Sequence, residues 1–153
     1  MEAEYQTGSV DETWSVARSF AGELRPGDVV ALEGDLGAGK TTFVQGLAAA
    51  LGAKRPVTSP IFCLVVEHPT ETLLLVHLDL YRLHGPDDVL DLGWEDYLSR
   101  GAVMLVEWPD RAGDLIPGDA WHVRLEAGAD EDARTIRFLK CRMPDERRKV
   151  PSE

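Results

Sequence analysis

The residues best placed to do chemistry are Gly34-Asp35-Leu36-Gly37-Ala38-Gly39-Lys40-Thr41, which satisfy the pattern G-x-x-x-x-G-K-[ST] and follow the apolar run Val29-Val30-Ala31-Leu32. Small residues let successive backbone N–H groups turn inward and form a concave nest for phosphate oxygens, which larger side chains would obstruct. A helix starting near Lys40 adds the positive end of its dipole to the same place. In this chemistry Lys40 bridges the β- and γ-phosphates and the Thr41 hydroxyl ligates Mg²⁺. Asp35, Leu36, Gly37, Ala38, Gly39, Lys40, Thr41 and Thr42 are therefore the candidate nucleotide-binding residues. The bland alternative is a glycine-rich connector. Its position between a buried-type strand and an amphipathic helix argues against that.

A phosphate cradle also needs acids to hold the metal and orient water, and these belong at the carboxyl ends of neighbouring strands. Two segments fit: Leu73-Leu74-Leu75-Val76-His77-Leu78-Asp79 runs into an aspartate, and Ala102-Val103-Met104-Leu105-Val106-Glu107 runs into a glutamate. Either acid could simply mark the return of the chain to solvent. Two of them beside the glycine turn favour a site with Lys40, Asp79 and Glu107 as its catalytic residues. Asp79 is assigned to Mg²⁺, and Glu107 either to the metal or to the attacking water. His77 shares a strand face with Asp79 and reads first as a packed or hydrogen-bonded core residue. Trp108 could face a nucleotide or partner, or be buried. Thr58-Ser59-Pro60 lies where such proteins place a loop that senses the γ-phosphate.

The elements that position these residues follow from periodicity. A short strand is expected at 4–9 and a helix at 10–24, capped by Ser9 or Asp11, with Trp14, Val16, Ala17, Phe20 and Leu24 on its apolar face. Val29 to Glu33 is a fully apolar strand of the buried parallel kind. Residues 41–51 repeat apolar side chains at helical spacing and stop at Gly52. Strands are expected at 62–67 and 72–80, a helix at 87–100 interrupted at Gly93, and a buried strand at 102–106. Residues 121–126 and 134–140 alternate as an antiparallel pair at a sheet edge would. The whole is an α/β domain, 1–140, around a mostly parallel or mixed sheet flanked by helices. Residues 141–153 have nothing to bury and are expected to be a disordered tail.

Composition sets the remaining limits. The chain has 153 residues, 44% of them hydrophobic, and fits one domain with a proper core. No apolar run approaches the ~18–20 residues that span a membrane. The acidic, polar start MEAEYQTGSV does not read as a secretory signal. Cys63 and Cys141 make no metal or disulfide pattern, so a reducing cytoplasm is the expected setting. The net charge of −11 makes a poor lone binder of nucleic-acid backbones.

Taken in order, the glycine turn through Thr42-Phe43, then Val57-Thr58-Ser59-Pro60, His77-Leu78-Asp79-Leu80-Tyr81-Arg82-Leu83 and Glu107-Trp108-Pro109 resemble the bacterial TsaE (YjeE) proteins. The resemblance spans about 10–140, and its third and last segments, His77 to Leu83 and Glu107-Trp108-Pro109, are more specific than the glycine turn. It implies a small P-loop ATPase of slow intrinsic turnover in tRNA threonylcarbamoyladenosine synthesis, with ATP and Mg²⁺ as cofactors. It also implies TsaB- and TsaD-like partners, TsaD transferring the threonylcarbamoyl group, so that tRNA is met only through them. By the same likeness Thr41, Asp79 and Glu107 form the Mg²⁺ and hydrolysis site. Thr58 and Ser59 belong to a switch-like loop, and Thr13 and Arg134 touch the nucleotide away from its phosphates. The chain departs from the family at Ile61, where a threonine is usual, which removes a hydroxyl from that loop.

Two other readings are set beside this one. A small-molecule kinase needs an arginine-rich lid, whereas Arg111, Arg124, Arg134 and Arg137 are scattered. A nucleotide-gated binding module would bind without hydrolysing. A GTPase is disfavoured by the absence of N-K-x-D.

Overall fold

The computed structural model describes residues 2–35, 38–55, 57 and 65–140. They build one seven-stranded sheet in the order β1-β7-β6-β2-β5-β4-β3. In chain order the elements are β1 (Glu2–Thr7), α1 (Val10–Ala21), β2 (Val29–Glu33), α2 (Lys40–Leu51), β3 (Val65–Pro69), β4 (Leu74–Asp79), α3 (Pro86–Leu90), α4 (Trp94–Ser99), β5 (Val103–Glu107), β6 (Trp121–Ala127) and β7 (Arg134–Lys140). Strands β4, β5, β2 and β6 run parallel, while β3, β7 and β1 join antiparallel at the flanks. The fold is thus the expected mixed α/β sheet flanked by helices.

β2 lies between β5 on one side and β6 on the other. The chain leaves β2 for α2 and the far strands, then returns to both of its flanks. In open α/β sheets such a reversal of strand order opens a crevice at the carboxyl ends of the strands. The residues after β2 occupy that position.

Two apolar cores hold the helices to the sheet. On one face α1 and α2 bury Ala17, Phe20, Phe43, Val44, Leu47 and Leu51 against β2, β5, β6 and β7. Phe20 stacks edge-on to Trp121 at 5.0 Å and lies 4.8 Å from Phe138, ring centroid to centroid. Burying each such side chain contributes roughly 1.5–3 kcal/mol. On the other face Val89 and Trp94, from α3 and α4, cover Val76, Leu78, Met104 and Val106. Ser9 caps α1 by accepting from the Glu12 N–H at 3.1 Å, and the Glu12 carboxylate accepts from Gly8 N–H at 2.6 Å. Gly52 ends α2 at φ 86°, as a left-handed C-cap does.

The differences from expectation are local. β1 begins at Glu2 and ends before Gly8, because it pairs along its whole length with β7. That pairing also takes β6 and β7 off the edge of the sheet, which β1 forms instead. α1 stops at Ala21 and Gly22 caps it, with Leu24 buried beyond the helix end. The interruption expected at Gly93 within 87–100 is observed: α3 and α4 part there, with Gly93 at φ 98°. A kinked 3₁₀ segment, Pro109–Leu115, was not foreseen; its turns carry no apolar period long enough to read. Residues 62–64 of the expected strand, and the tail at 141–153, lie outside the described residues. No helix of the described residues is long and apolar enough to cross a membrane.

α1 and α2 meet closely at Gly46, where a Cβ would come within 3.0 Å of Trp14 Cγ and 3.1 Å of its Cα. Gly46→Val is expected to lower stability by about 2 kcal/mol or more in urea unfolding, because the added methyls overpack this crossing. An unchanged midpoint would mean that the helices are not in this contact.

Candidate functional site

Three strand ends are brought level. β2 and β5 pair so that Leu32 is opposite Glu107, and β4 and β5 pair so that Asp79 is opposite Glu107. Neighbouring strands lie about 4.8 Å apart, so the two carboxylates leave the sheet side by side. The chain from β2 turns at Gly34, whose φ is 153° and where a Cβ would lie 2.7 Å from the Leu125 carbonyl oxygen of β6. Glycine is required there by backbone approach. The turn ends at Gly39, φ 97°, the N-cap of α2, which no side chain caps. The amides of a first helical turn have no partner within their own helix.

Lys40 folds back over the turn. Its Nζ donates to the Gly34 carbonyl at 2.6 Å and pairs with Glu107 Oε1 at 3.1 Å. The other carboxylate oxygen, Oε2, is 2.6 Å from His77 Nε2. Partial burial alone would raise the Glu107 carboxyl, but the His77 and Lys40 contacts outweigh it and hold the group below the usual carboxylate range. Glu107 is therefore ionised and tied at both oxygens. Asp79 is half-buried and its Oδ1 accepts from the Tyr81 N–H at 3.1 Å. Next to Glu107, Trp108 holds a left-handed conformation, φ 59° and ψ 54°, with its ring 4.9 Å from Tyr81. It is 44% exposed, so of its two sequence readings burial is not the one observed.

Of the other predicted site residues, Asp35 and Thr41 are exposed beside the turn, Thr42 is half-buried and Ala38 is buried. Leu36 and Gly37 lie outside the described residues, as do Thr58, Ser59, Pro60 and Ile61. Thr13 is 2% exposed, and its hydroxyl bonds that of Thr7 at 2.8 Å. Thr7 stands opposite Arg134 in the β1–β7 ladder. The Arg134 side chain lies across Gly39, where a Cβ would meet its Nε at 2.9 Å. Its guanidinium donates to the Glu131 and Ala133 carbonyls at 2.8 and 2.7 Å. Arg134 thus flanks the glycine turn directly, and Thr13 is connected to it through Thr7.

The turn opens on a cleft of about 260 Å³ lined by Gly34, Asp35, Lys40, Trp108, Asp110 and Arg124, among others. The sequence did not single out Asp110, and Arg124 figured only as one of several scattered arginines. The His77–Glu107 bond was also missed, because only the β4–β5 register brings residues thirty positions apart together. Among the described residues no group of three or more His, Cys, Asp or Glu is placed to hold a metal alone. Asp79 and Glu107, oxygen donors on adjacent strand ends, fit a hard cation that keeps much of its water. A helix start with no side-chain cap among the described residues, and a lysine held by a carbonyl and a carboxylate, fit an anion.

An α/β sheet with a glycine turn at its reversal point defines the class of fold. Comparison with known proteins narrows it. A family model described as "Threonylcarbamoyl adenosine biosynthesis protein TsaE" matches residues 7–136. A Bacillus subtilis protein named tRNA threonylcarbamoyladenosine biosynthesis protein TsaE is 39% identical over 137 residues, covering 90% of this chain and 85% of its own. The protein of that name from Aquifex aeolicus is 42% identical over 136 residues, covering 86% and 92%. The crystal structure of YdiB from Bacillus subtilis superposes with a TM-score of 0.73 at 34% identity, covering 92% of this chain and 86% of that one. The chain belongs to the TsaE family.

His68, on β3, shares the sheet face of His77, and its Nε2 is buried without a partner among the described residues. Burial, and then the neighbouring His77, lower its pKa from the ordinary 6.5. The unfolded chain therefore takes up this proton first, and the folded state loses stability as pH falls below about 6.5. A His68→Leu variant is expected to show a flatter decline on acidification, by at most about 1.4 kcal/mol per pH unit for one proton. Parallel stability–pH curves from urea unfolding would contradict this.

Proposed function

We propose that this chain is a Mg²⁺-dependent ATPase of threonylcarbamoyladenosine synthesis on tRNA, acting in the cytoplasm with TsaD- and TsaB-like proteins. The observation that carries the reading is the position of Lys40. It stands at the start of α2 within 3.1 Å of Glu107, itself level with Asp79. Membership of the TsaE family supports the pathway, for which its relatives are named. A net charge of −11 supports meeting tRNA through partners, since backbone affinity comes from Lys and Arg.

In this reading the amides of residues 34–42 and the α2 N-terminus bind the phosphates of ATP, and Lys40 leaves Glu107 to neutralise them. The Thr41 hydroxyl and Asp79 would hold Mg²⁺. The bound metal supplies charge withdrawal from the γ-phosphate. Glu107 accepts a hydrogen bond from water and orients it. Arg134 and the Thr13 region border the nucleotide away from its phosphates. Trp108 and the Tyr81 ring lie beside the acids, where they limit access of bulk water.

Lys40→Ala is expected to weaken ATP binding by ~10² or more in calorimetry, from lost charge-assisted hydrogen bonds. Asp79→Ala and Glu107→Ala are expected to keep nucleotide binding and to lose hydrolysis by ~10² or more. ADP release from Mg-ATP, with and without the two partners, checks the activity. Phosphate appearing on an added metabolite would point to a kinase, and no ADP even with partners present would point to a binding module.

A further inference from the structure

Glu107 is held by two partners of different kinds. Lys40 is a long, flexible side chain, and in the proposed reaction it must turn to the phosphates. His77 is 1% exposed, fixed on β4 and walled in by the sheet. Once the lysine departs, Glu107 is left beside Asp79, a like charge one strand away. Repulsion between them, and from any anion in the cleft, would turn a free glutamate toward solvent.

We propose that His77 is the positioning residue of Glu107: its Nε2–H fixes Oε2 so that the carboxylate keeps its aim when Lys40 is withdrawn. This rests on the ATPase reading above. The proton assignment follows from the acceptor. An ionised carboxylate has no hydrogen to give, so the 2.6 Å contact requires the imidazole nitrogen to donate. In the neutral ring Nδ1 is then a bare lone pair, and it is buried with no partner among the described residues. Leaving a buried polar atom unpaired costs about 1–3 kcal/mol. Leu75, Val76 and Leu78 fill the surrounding strand, and an aliphatic residue at 77 would avoid that cost. A side chain kept only for packing gives no reason to bear it, whereas a fixed donor to Glu107 does.

The test separates the donor from its volume. A glutamine at 77 can place an amide N–H close to the position of Nε2, and an asparagine only close to that of Nδ1. In the full chain, His77→Gln is expected to keep single-turnover Mg-ATP hydrolysis within about fivefold, while His77→Asn and His77→Ala lose ~10–10². All three are expected to bind a non-hydrolysable ATP analogue with parental affinity in calorimetry. Adding His77→Ala to Glu107→Ala is expected to cause no further loss, because the two side chains act as a unit. A readout independent of turnover uses the parent alone: long-range ¹H–¹⁵N NMR is expected to show the Nε2–H tautomer at His77, both free and with the analogue bound. Equal rates for Gln and Asn, a rate loss matched by lost affinity, or an Nδ1–H tautomer would each overturn the proposal while leaving the ATPase reading intact. A parent chain that hydrolyses no ATP, even with its partners, would remove both.

Discussion

The parallel register of β4, β5 and β2 is the constraint on which the site depends. It sets Asp79 level with Glu107 and Glu107 level with Leu32, so that both acids stand beside the turn that follows β2. A slip of one residue in any of these strands would turn its acid to the opposite face of the sheet. The register is protected by the two apolar cores. Val103 and Leu105 face α1 and α2, whereas Met104 and Val106 face α3 and α4. Shifting β5 would bring Glu107 toward one of those cores and an aliphatic side chain toward the cleft. Burial of leucines and valines far from the site therefore fixes where the carboxylates stand.

Charge then organises what the register assembles. Two carboxylates on adjacent strand ends repel each other, and the structure separates their fates. Glu107 is tied to Lys40 and His77, while Asp79 accepts from the Tyr81 backbone. Lys40 at the same time donates to the carbonyl of Gly34, at the start of the turn. Under the proposed function an arriving triphosphate draws Lys40 from Glu107 and the Gly34 carbonyl to its own oxygens.

Much of this was legible in the sequence, for identifiable reasons. The turn after β2 is marked by its glycines between an apolar strand and a helix, and α2 carries an apolar period of helical spacing up to a glycine stop. β4 and β5 are short aliphatic runs that each end in an acid. What could not be read was pairing. The sequence placed β6 and β7 at an edge, because nothing local reveals that β1, at the other end of the chain, covers β7. His77 was legible as a buried histidine on the face of Asp79, but its bond to Glu107 depends on a register set by distant packing. Arg134 was reached through resemblance alone. Its contact with Gly39 arises because β7 runs next to β6, which borders β2.

The central claim is that the glycine turn and the level acids form one phosphate and metal site. It is tested most directly by a crystal structure of the chain with Mg²⁺ and a non-hydrolysable ATP analogue. The account predicts phosphate oxygens on the amides of residues 34–42, Lys40 Nζ moved from Glu107 to the phosphates, and the cation beside Thr41 and Asp79. Analogue bound elsewhere, with Lys40 still on Gly34 and Glu107, would contradict it.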